Sequence, residues 1–463
     1  MTMNADSSRF DLVIRGAKVV SERVLGEHDV AVQDGKIAEI AGRIDADARQ
    51  VIDAHGLHVL PGVIDVHVHF NDPGRAHWEG WTTGSAAAAV GGTTTVAEMP
   101  LNASPPTLDG ASFDAKVTAA SGASFVDFAL WGGLTPVNLG DMAELAARGV
   151  IGFKAFMCNS GIEDFLAADD ATLREGMLRA AELGLPVAVH AEDEAITSRL
   201  TTEARAAGER SIRAYLASRP PEAELTAIAR AIELAAETGC ELYVVHISTP
   251  EGVGLVRDAA SRGIAVRAET CPHYLLFADD DLVLHGAALK CSPPLRPLPT
   301  QEALGEMVRG GLVDVLASDH SPSPPEMKAH EGFFAIWGGI AGCQSLLPAS
   351  LSAIEGASGE ADVSLAAELL AHNPARLLQQ PGKGRIRIGM DADLVLVDLR
   401  EEFTVAQDDL RYRHSISPYV GFPLRGRPVQ TFLRGVTIAR AGNVVGRPQG
   451  RLITPARGSG IAD

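Results

Sequence analysis

The chain changes its pattern twice. Over the first 60 residues apolar positions come in short runs broken by polar pairs, at 10–14 and, on either side of Asp34-Gly35, at 29–32 and 36–40. Asp-Gly between two such runs predicts a tight hairpin. The same pattern returns at 392–399 and at 430–434, where Gly435 follows. Neither end holds enough strands for a stable sheet of its own. The two ends are therefore expected to pack together as one small composite β-sandwich domain, 1–60 plus 380–463.

The stretch between them, 61–379, alternates. Apolar runs rich in β-branched residues lie at 63–69, 94–98, 125–130, 150–156, 187–190, 242–248, 265–270 and 313–318. Helical periodicity fills the intervals, as at 172–183, 222–238 and 301–308, and Ala86 to Ala89 suits a helix. Gly184, Gly239 and Gly263 stand where such helices should end. Strands alternating with helices predict an α/β fold with a parallel sheet, and eight of them predict a closed, TIM-like (β/α)₈ barrel. A doubly wound open sheet is the competing arrangement. No G-x-G-x-x-G follows the first strand, which counts against its dinucleotide-binding form.

Composition narrows the class of partner. The 463 residues are 46% hydrophobic and 21% charged, with a net charge of −19. That is globular composition, and without a Lys/Arg cluster it argues against nucleic acid and anionic membrane surfaces. No run of 18 apolar residues and no apolar leader predict neither a membrane span nor a signal peptide. Cys158, Cys240, Cys271, Cys291 and Cys343 form no C-x-x-C pair, which fits a reduced, cytoplasmic protein better than a disulfide scaffold.

In a barrel, side chains at the C-terminal strand ends line the active site. Here several strands end in metal-ligand types. The first ends in His67-Val68-His69, and alternation puts both imidazoles on one face. His190 ends the fifth strand, the sixth carries His246, and the eighth ends at Asp319. Each alone reads as a satisfied core or loop residue; together they point to a metal site. Lys154 sits inside the apolar fourth strand, where its ammonium would be costly. It either snorkels or pairs with a carboxylate, or it is a neutral amine converted by carbon dioxide to a carbamate.

These residues resemble the ligand set of the cyclic-amide hydrolases of the amidohydrolase superfamily. Pro61-Gly-Val-Ile-Asp65 before the His pair and Gly389-Met-Asp-Ala-Asp-Leu-Val-Leu-Val-Asp398 share that resemblance, which runs from about Asp11 to Gly446. Longer strings resemble the allantoinases within this group: Asp72-Pro-Gly-Arg-Ala-His-Trp-Glu-Gly80, Glu98-Met-Pro-Leu-Asn102, Ser318-Asp-His-Ser-Pro-Ser-Pro-Pro-Glu-Met-Lys328, Trp337-Gly-Gly-Ile-Ala-Gly342 and Tyr412-Arg-His-Ser-Ile-Ser-Pro-Tyr-Val-Gly421. Departures from the neighbours agree. Asn71 stands where dihydroorotases carry an Arg, and Asn159 where dihydropyrimidinases and hydantoinases carry a Tyr. Ala341 stands where the latter carry an Asn.

The resemblance implies hydrolysis of the hydantoin ring of allantoin to allantoate, a step of purine and ureide degradation. It implies two divalent ions, zinc first and cobalt, manganese or iron as alternatives. His67, His69 and Asp319 would hold one ion, His190 and His246 the other, with carbamylated Lys154 between them. Asp319 would also carry the proton from water to the departing nitrogen. The Ser292 backbone is the implied substrate contact, and Asn102, Asn159 and Ser321 are further candidates near the mouth. Arg75 and His273 read as structural, His320 as facing away, and Cys158 as lacking an adjacent base. Relatives imply a homodimer or homotetramer. Hydantoinase or dihydropyrimidinase activity is the alternative, and a non-catalytic assembly protein the alternative from another class.

Overall fold

The computed structural model describes residues 9–21, 24–356 and 359–456. The N-terminal strands are Phe10–Val20 (β1), Val24–Gln33 (β2), Lys36–Ala41 (β3), Ala48–Asp53 (β4) and His58–Pro61 (β5). Asp34 and Gly35 both take positive φ, 51° and 77°, the conformation a two-residue turn between twisted antiparallel strands requires.

The barrel follows. Its strands are Val63–Val68 (β6), Thr93–Glu98 (β7), Asp127–Leu130 (β8) with a short continuation Gly132–Gly133 (β9), Phe153–Phe156 (β10), Val187–His190 (β11), Leu242–Val244 (β12), Val266–Thr270 (β13) and Val315–Leu316 (β14). β6, β7 and β8 pair in parallel, as do β9 through β14. The ring closes where His320 bridges to Val68 and the His69 amide donates to the His320 carbonyl at 2.7 Å. This is the eight-stranded closed barrel the alternation predicts, not an open sheet.

Alternation sorts the strand residues. On β11, Val187 and Val189 pack towards the helices while Ala188 joins the interior cluster with Ile64, Val66, Trp131, Tyr243 and Val315. His190 follows Ala188 on the inner side. On β10, Lys154 stands between Phe153 and Ala155, which both pack towards the helices, so its amine is turned inward. The outer helices include Asp170–Leu183 and Pro221–Thr238, each closed by a left-handed glycine, Gly184 and Gly239.

After the barrel the chain returns through Leu394–Thr404 (β15), Pro423–Leu433 (β16), Val436–Arg440 (β17) and Asn443–Val444 (β18). β15 pairs with β5, joining both chain ends in one nine-stranded sheet. Leu394 and Leu396 enter that sheet's own core with Leu12, Ile14 and Phe432, whereas Val395 and Val397 pack on the barrel side. Lys383, buried, ties the two parts through Asp127 of β8 at 2.9 Å and Asp393 at 2.5 Å. The final described segment leaves the sheet: Leu452 bridges to Phe128, and Ile453 N donates to the Phe128 carbonyl.

Candidate metal centre and substrate cavity

Five of the six predicted ligands converge at the C-terminal rim of the barrel. His67 Nε2 and His69 Nε2 lie 3.1 and 3.5 Å from the same Asp319 oxygen. His190 Nδ1 faces His246 Nε2 at 3.1 Å. The His67 and His246 rings are 5.5 Å apart, so the two groups form one cluster. Two of these residues stand where a strand is made to stop. His246 and Asp319 have φ of +42° and +45°, a left-handed conformation that costs a non-glycine residue roughly 1–2 kcal/mol. The turn lies just past the paired residues of β12 and β14, where both side chains reach the cluster.

The outer nitrogens are fixed. His67 Nδ1 lies 2.8 Å from Glu269, His69 Nδ1 lies 2.6 Å from the Leu101 carbonyl, and His190 Nε2 lies 2.8 Å from Glu192. Each such contact sets the tautomer, leaving the opposite nitrogen as a lone pair aimed into the cluster. Glu269 also accepts from Tyr243 OH at 2.5 Å and His246 N at 3.0 Å. Glu192 is fully buried, which would raise its carboxyl, but half-buried Arg219 and His190 outweigh this and hold it down at about 2. Glu192 and Glu269 were not anticipated from the sequence. A signal did exist: Glu269 is an acidic residue in an apolar strand, as Lys154 is a basic one.

Lys154 is the sixth predicted ligand. Its side chain is 1% exposed, and Nζ has no hydrogen-bond partner among the described residues. Burial pulls it down to about 8 despite the carboxylates of Glu269 and Asp319. It is therefore neither snorkelling nor paired. Burial also lowers His190 and His246, keeping both imidazoles neutral. Burial would raise Asp319, yet His67, His69 and His246 together hold it well below the carboxylate range. Neutral imidazoles, an ionised carboxylate and an orphaned buried amine make a donor set that fits divalent cations. The buried, unpartnered Nδ1 of His246 and the two facing nitrogens of His190 and His246 fit a cation better than an empty pair of lone pairs.

Above the cluster opens a cavity of about 540 Å³. Asn102, Asn159, Ser292 and Ser321 all line it. Asn102 Nδ2 is 3.3 Å from Asn71 Oδ1, and Asn159 Oδ1 accepts from Gly161 N at 2.8 Å in a local turn. Ser292 Oγ lies 2.8 Å from Tyr215 OH. Three other positions sit elsewhere. Asn71 is fully buried behind Asn102. Arg75 donates to the Asn102 carbonyl at 2.6 Å. Ala341 faces away from the cavity because neighbouring Ile340 is drawn into pairing with His320; Trp337, Gly338 and Gly339 line that wall instead. His320 is turned outward, with Nδ1 accepting from Gly342 N at 3.2 Å. His273 is buried beside Tyr274. Cys158 clusters with His190 and Glu192, but burial pushes its thiol up to about 12, so it is no nucleophile.

The amidohydrolase family pattern matches residues 58–438. This chain belongs to that family. The amidohydrolase is 55% identical to the allantoinase of Rubrobacter xylanophilus over 98% of this chain and 99% of that one. It is 50% identical to the allantoinase of Solibacter usitatus, over 96% and 97% of the two chains. Among solved structures it resembles the L-hydantoinase (dihydropyrimidinase) of Arthrobacter aurescens, with a TM-score of 0.92 and 37% identity over 96% of this chain and all of that one. The amidohydrolase is thus a hydrolase of cyclic amides, and no helix among its described residues is long and apolar enough to cross a membrane.

Proposed function

We propose that this amidohydrolase opens the hydantoin ring of allantoin to give allantoate, a step in ureide breakdown. The observation that carries the reading is the convergence of His67, His69, Asp319, His190 and His246 around an orphaned buried amine at the floor of a polar-mouthed cavity. Full-length identity to two allantoinases supports the substrate.

On this reading His67, His69 and Asp319 would hold one divalent ion and His190 and His246 a second, and Lys154, converted to a carbamate, would supply a further anionic oxygen ligand. Zinc suits these nitrogen and oxygen donors, as do cobalt, manganese and iron. When bound, such ions lower the pKa of water and polarise an amide carbonyl, addressing a poor nucleophile and a poor electrophile together. The chain's own groups do the rest. Asp319, the candidate catalytic residue, takes the proton of the attacking water and delivers it to the departing ring nitrogen. The surrounding histidines hold it ionised, so it starts without a proton. Ser292 positions the ring through its backbone, held by Tyr215, while Asn102, Asn159 and Ser321 offer hydrogen bonds to the exocyclic urea. Glu192 and Glu269 keep the histidines oriented. Every residue lining the cavity falls within 61–379, which supports assigning catalysis to the barrel and a supporting role to the composite domain of 1–60 and 380–463. We place the enzyme in the cytoplasm as a homodimer or homotetramer.

The test is initial-rate hydrolysis of allantoin, hydantoin, dihydrouracil and dihydroorotate after loading with divalent metal and bicarbonate. Preference for allantoin is expected. Preference for hydantoin or dihydrouracil would transfer the assignment to the activity named for the Arthrobacter protein. No turnover with any of the four would favour a non-catalytic assembly protein.

A further inference from the structure

The cavity wall opposite the metal cluster is built from residues 325–339. That segment has little structure of its own: two short 3₁₀ turns, Pro325–Lys328 and Phe333–Ala335, and irregular chain between. Yet Met327, Phe334, Ile336, Trp337 and Gly339 all line the cavity. Two lysines supply the order. Lys290 Nζ donates to the carbonyls of Phe333 at 2.7 Å and Ile336 at 2.5 Å. Lys328 Nζ donates to Trp337 at 2.9 Å, Gly339 at 2.7 Å and, back across the gap, Ala287 at 3.3 Å. Gly339 N closes the brace by donating to the Lys290 carbonyl at 2.7 Å.

The brace reaches Ser292. The Lys290 ammonium lies 4.6 Å from the centre of the Tyr215 ring, and Tyr215 OH contacts both the Cys291 carbonyl and Ser292 Oγ. One side of the brace carries the loop implied to hold the cyclic imide, and the other carries the apolar wall.

Neither charge is explained by stability. Burial and each other's proximity pull Lys290 down to about 7, and burial does the same to Lys328, with no carboxylate offsetting either. Apolar side chains would cost less there. What an ammonium alone provides is three donors on one compact atom, able to gather carbonyls arriving from different directions.

We propose that Lys290 and Lys328 are positioning residues that clasp the 325–339 wall to the Ser292 loop and so set the width of the substrate cavity. The proposal rests on the reading of a cyclic-amide substrate in this cavity. It predicts an effect on substrate binding, not on chemistry at the metal cluster, because neither lysine touches a predicted ligand.

The test compares the metal-loaded wild type with Lys328→Met and Lys290→Met. For Lys328→Met, KM for allantoin is expected to rise about tenfold and kcat to change less than about threefold, as for lost bonds to a charged donor. Metal content is expected to stay at the wild-type value, and amide hydrogen exchange across 325–339 to accelerate. Lys328→Arg is expected to recover part of the KM. The double variant is expected to fall short of the product of the single effects, since either lysine alone opens the clasp. Unchanged KM with unchanged exchange would overturn the proposal. So would a fall in kcat together with loss of metal, which would make the lysines supports of the metal cluster. Exchange needs no substrate; a wild type inert towards allantoin would sink the substrate assignment while leaving this readout decisive. Should Lys328→Met not fold, Lys328→Gln is read in the same way.

Discussion

Glu269 offers a sharp test of how the histidines are held. It is fully buried and accepts three bonds: His67 Nδ1 and His246 N share one oxygen, and Tyr243 OH takes the other. Glu269→Leu removes both acceptor oxygens and leaves three buried donors unsatisfied, at about 1–2 kcal/mol each, for a total of roughly 3–6 kcal/mol. Glu269→Gln is different. Its single carbonyl oxygen can occupy the site facing His67 and His246, and the Tyr243 hydroxyl can turn round to accept from the new amide. Only the charge assistance is lost, about 1–2 kcal/mol. The assays are urea unfolding of metal-stripped protein and competition for metal with a chelator. Metal affinity of the Leu variant should fall by about 10–100-fold, the usual cost of removing a group that orients a ligand. A Leu variant within about 1 kcal/mol of wild type, or a Gln variant as damaged as the Leu variant, would refute this account of the donor geometry.

Three more expectations follow from the same structure. Lys154→Ala should lose most bound metal along with activity, counted as metal per chain after dialysis; full metal content and near-normal turnover would remove the carbamate from the scheme. Asp319→Asn should keep the fold, checked by circular dichroism, and lose about 10²–10⁴ in kcat, the range for a missing proton-transfer group; an unchanged rate would exclude it. Lys383→Met should cost about 3–5 kcal/mol at pH 7, because it strands buried Asp393 and leaves buried Asp127 with Arg434 alone. In the wild type burial pushes Asp127 up, but Lys383 and Arg434 prevail and hold it below its ordinary value. Its contribution is therefore complete above about pH 4 and lost as pH falls further. In the variant Asp393, which burial already raises, loses the cation that opposed that shift and is raised further, so acidification from pH 7 to 5 should narrow the gap to wild type in urea unfolding. A gap independent of pH would contradict that.

The barrel was legible because helical stretches, several of them closed by a glycine, separate the strand runs, and because ligand-type residues recur where those runs end. All eight runs became strands, though β12 and β14 are shorter than their apolar runs. A left-handed turn at His246 or Asp319 leaves no mark in hydrophobicity. The ligand types were visible for the same reason: a polar residue closing an apolar strand is conspicuous. The groups that orient them were not. Glu192 and Arg219 are far apart in sequence and meet only when β11 and the helix-to-helix turn at 219 converge. That Trp337, Gly338 and Gly339 line the cavity and Ala341 does not is likewise beyond counting along a loop, which cannot foresee that Ile340 pairs with His320. The lysine clasp was invisible since its partners are backbone carbonyls, which carry no sequence signal at all.

The pairing of β5 with β15 has a consequence for how the protein is made. The ribosome releases β1 to β5 before the barrel and β15 after it, so every barrel strand emerges while one edge of β5 still waits for its neighbour. β5 is only four residues long and ends in Pro61, which makes that open edge a poor template for another chain. A nascent or truncated chain ending before β15 would carry every residue of the cavity, yet leave the barrel-facing Val395 and Val397 missing and the underside of the barrel bare. Completion of the catalytic half is thus coupled to a strand made only after the whole barrel, and chains cut short before it are expected to aggregate instead of acquiring metal.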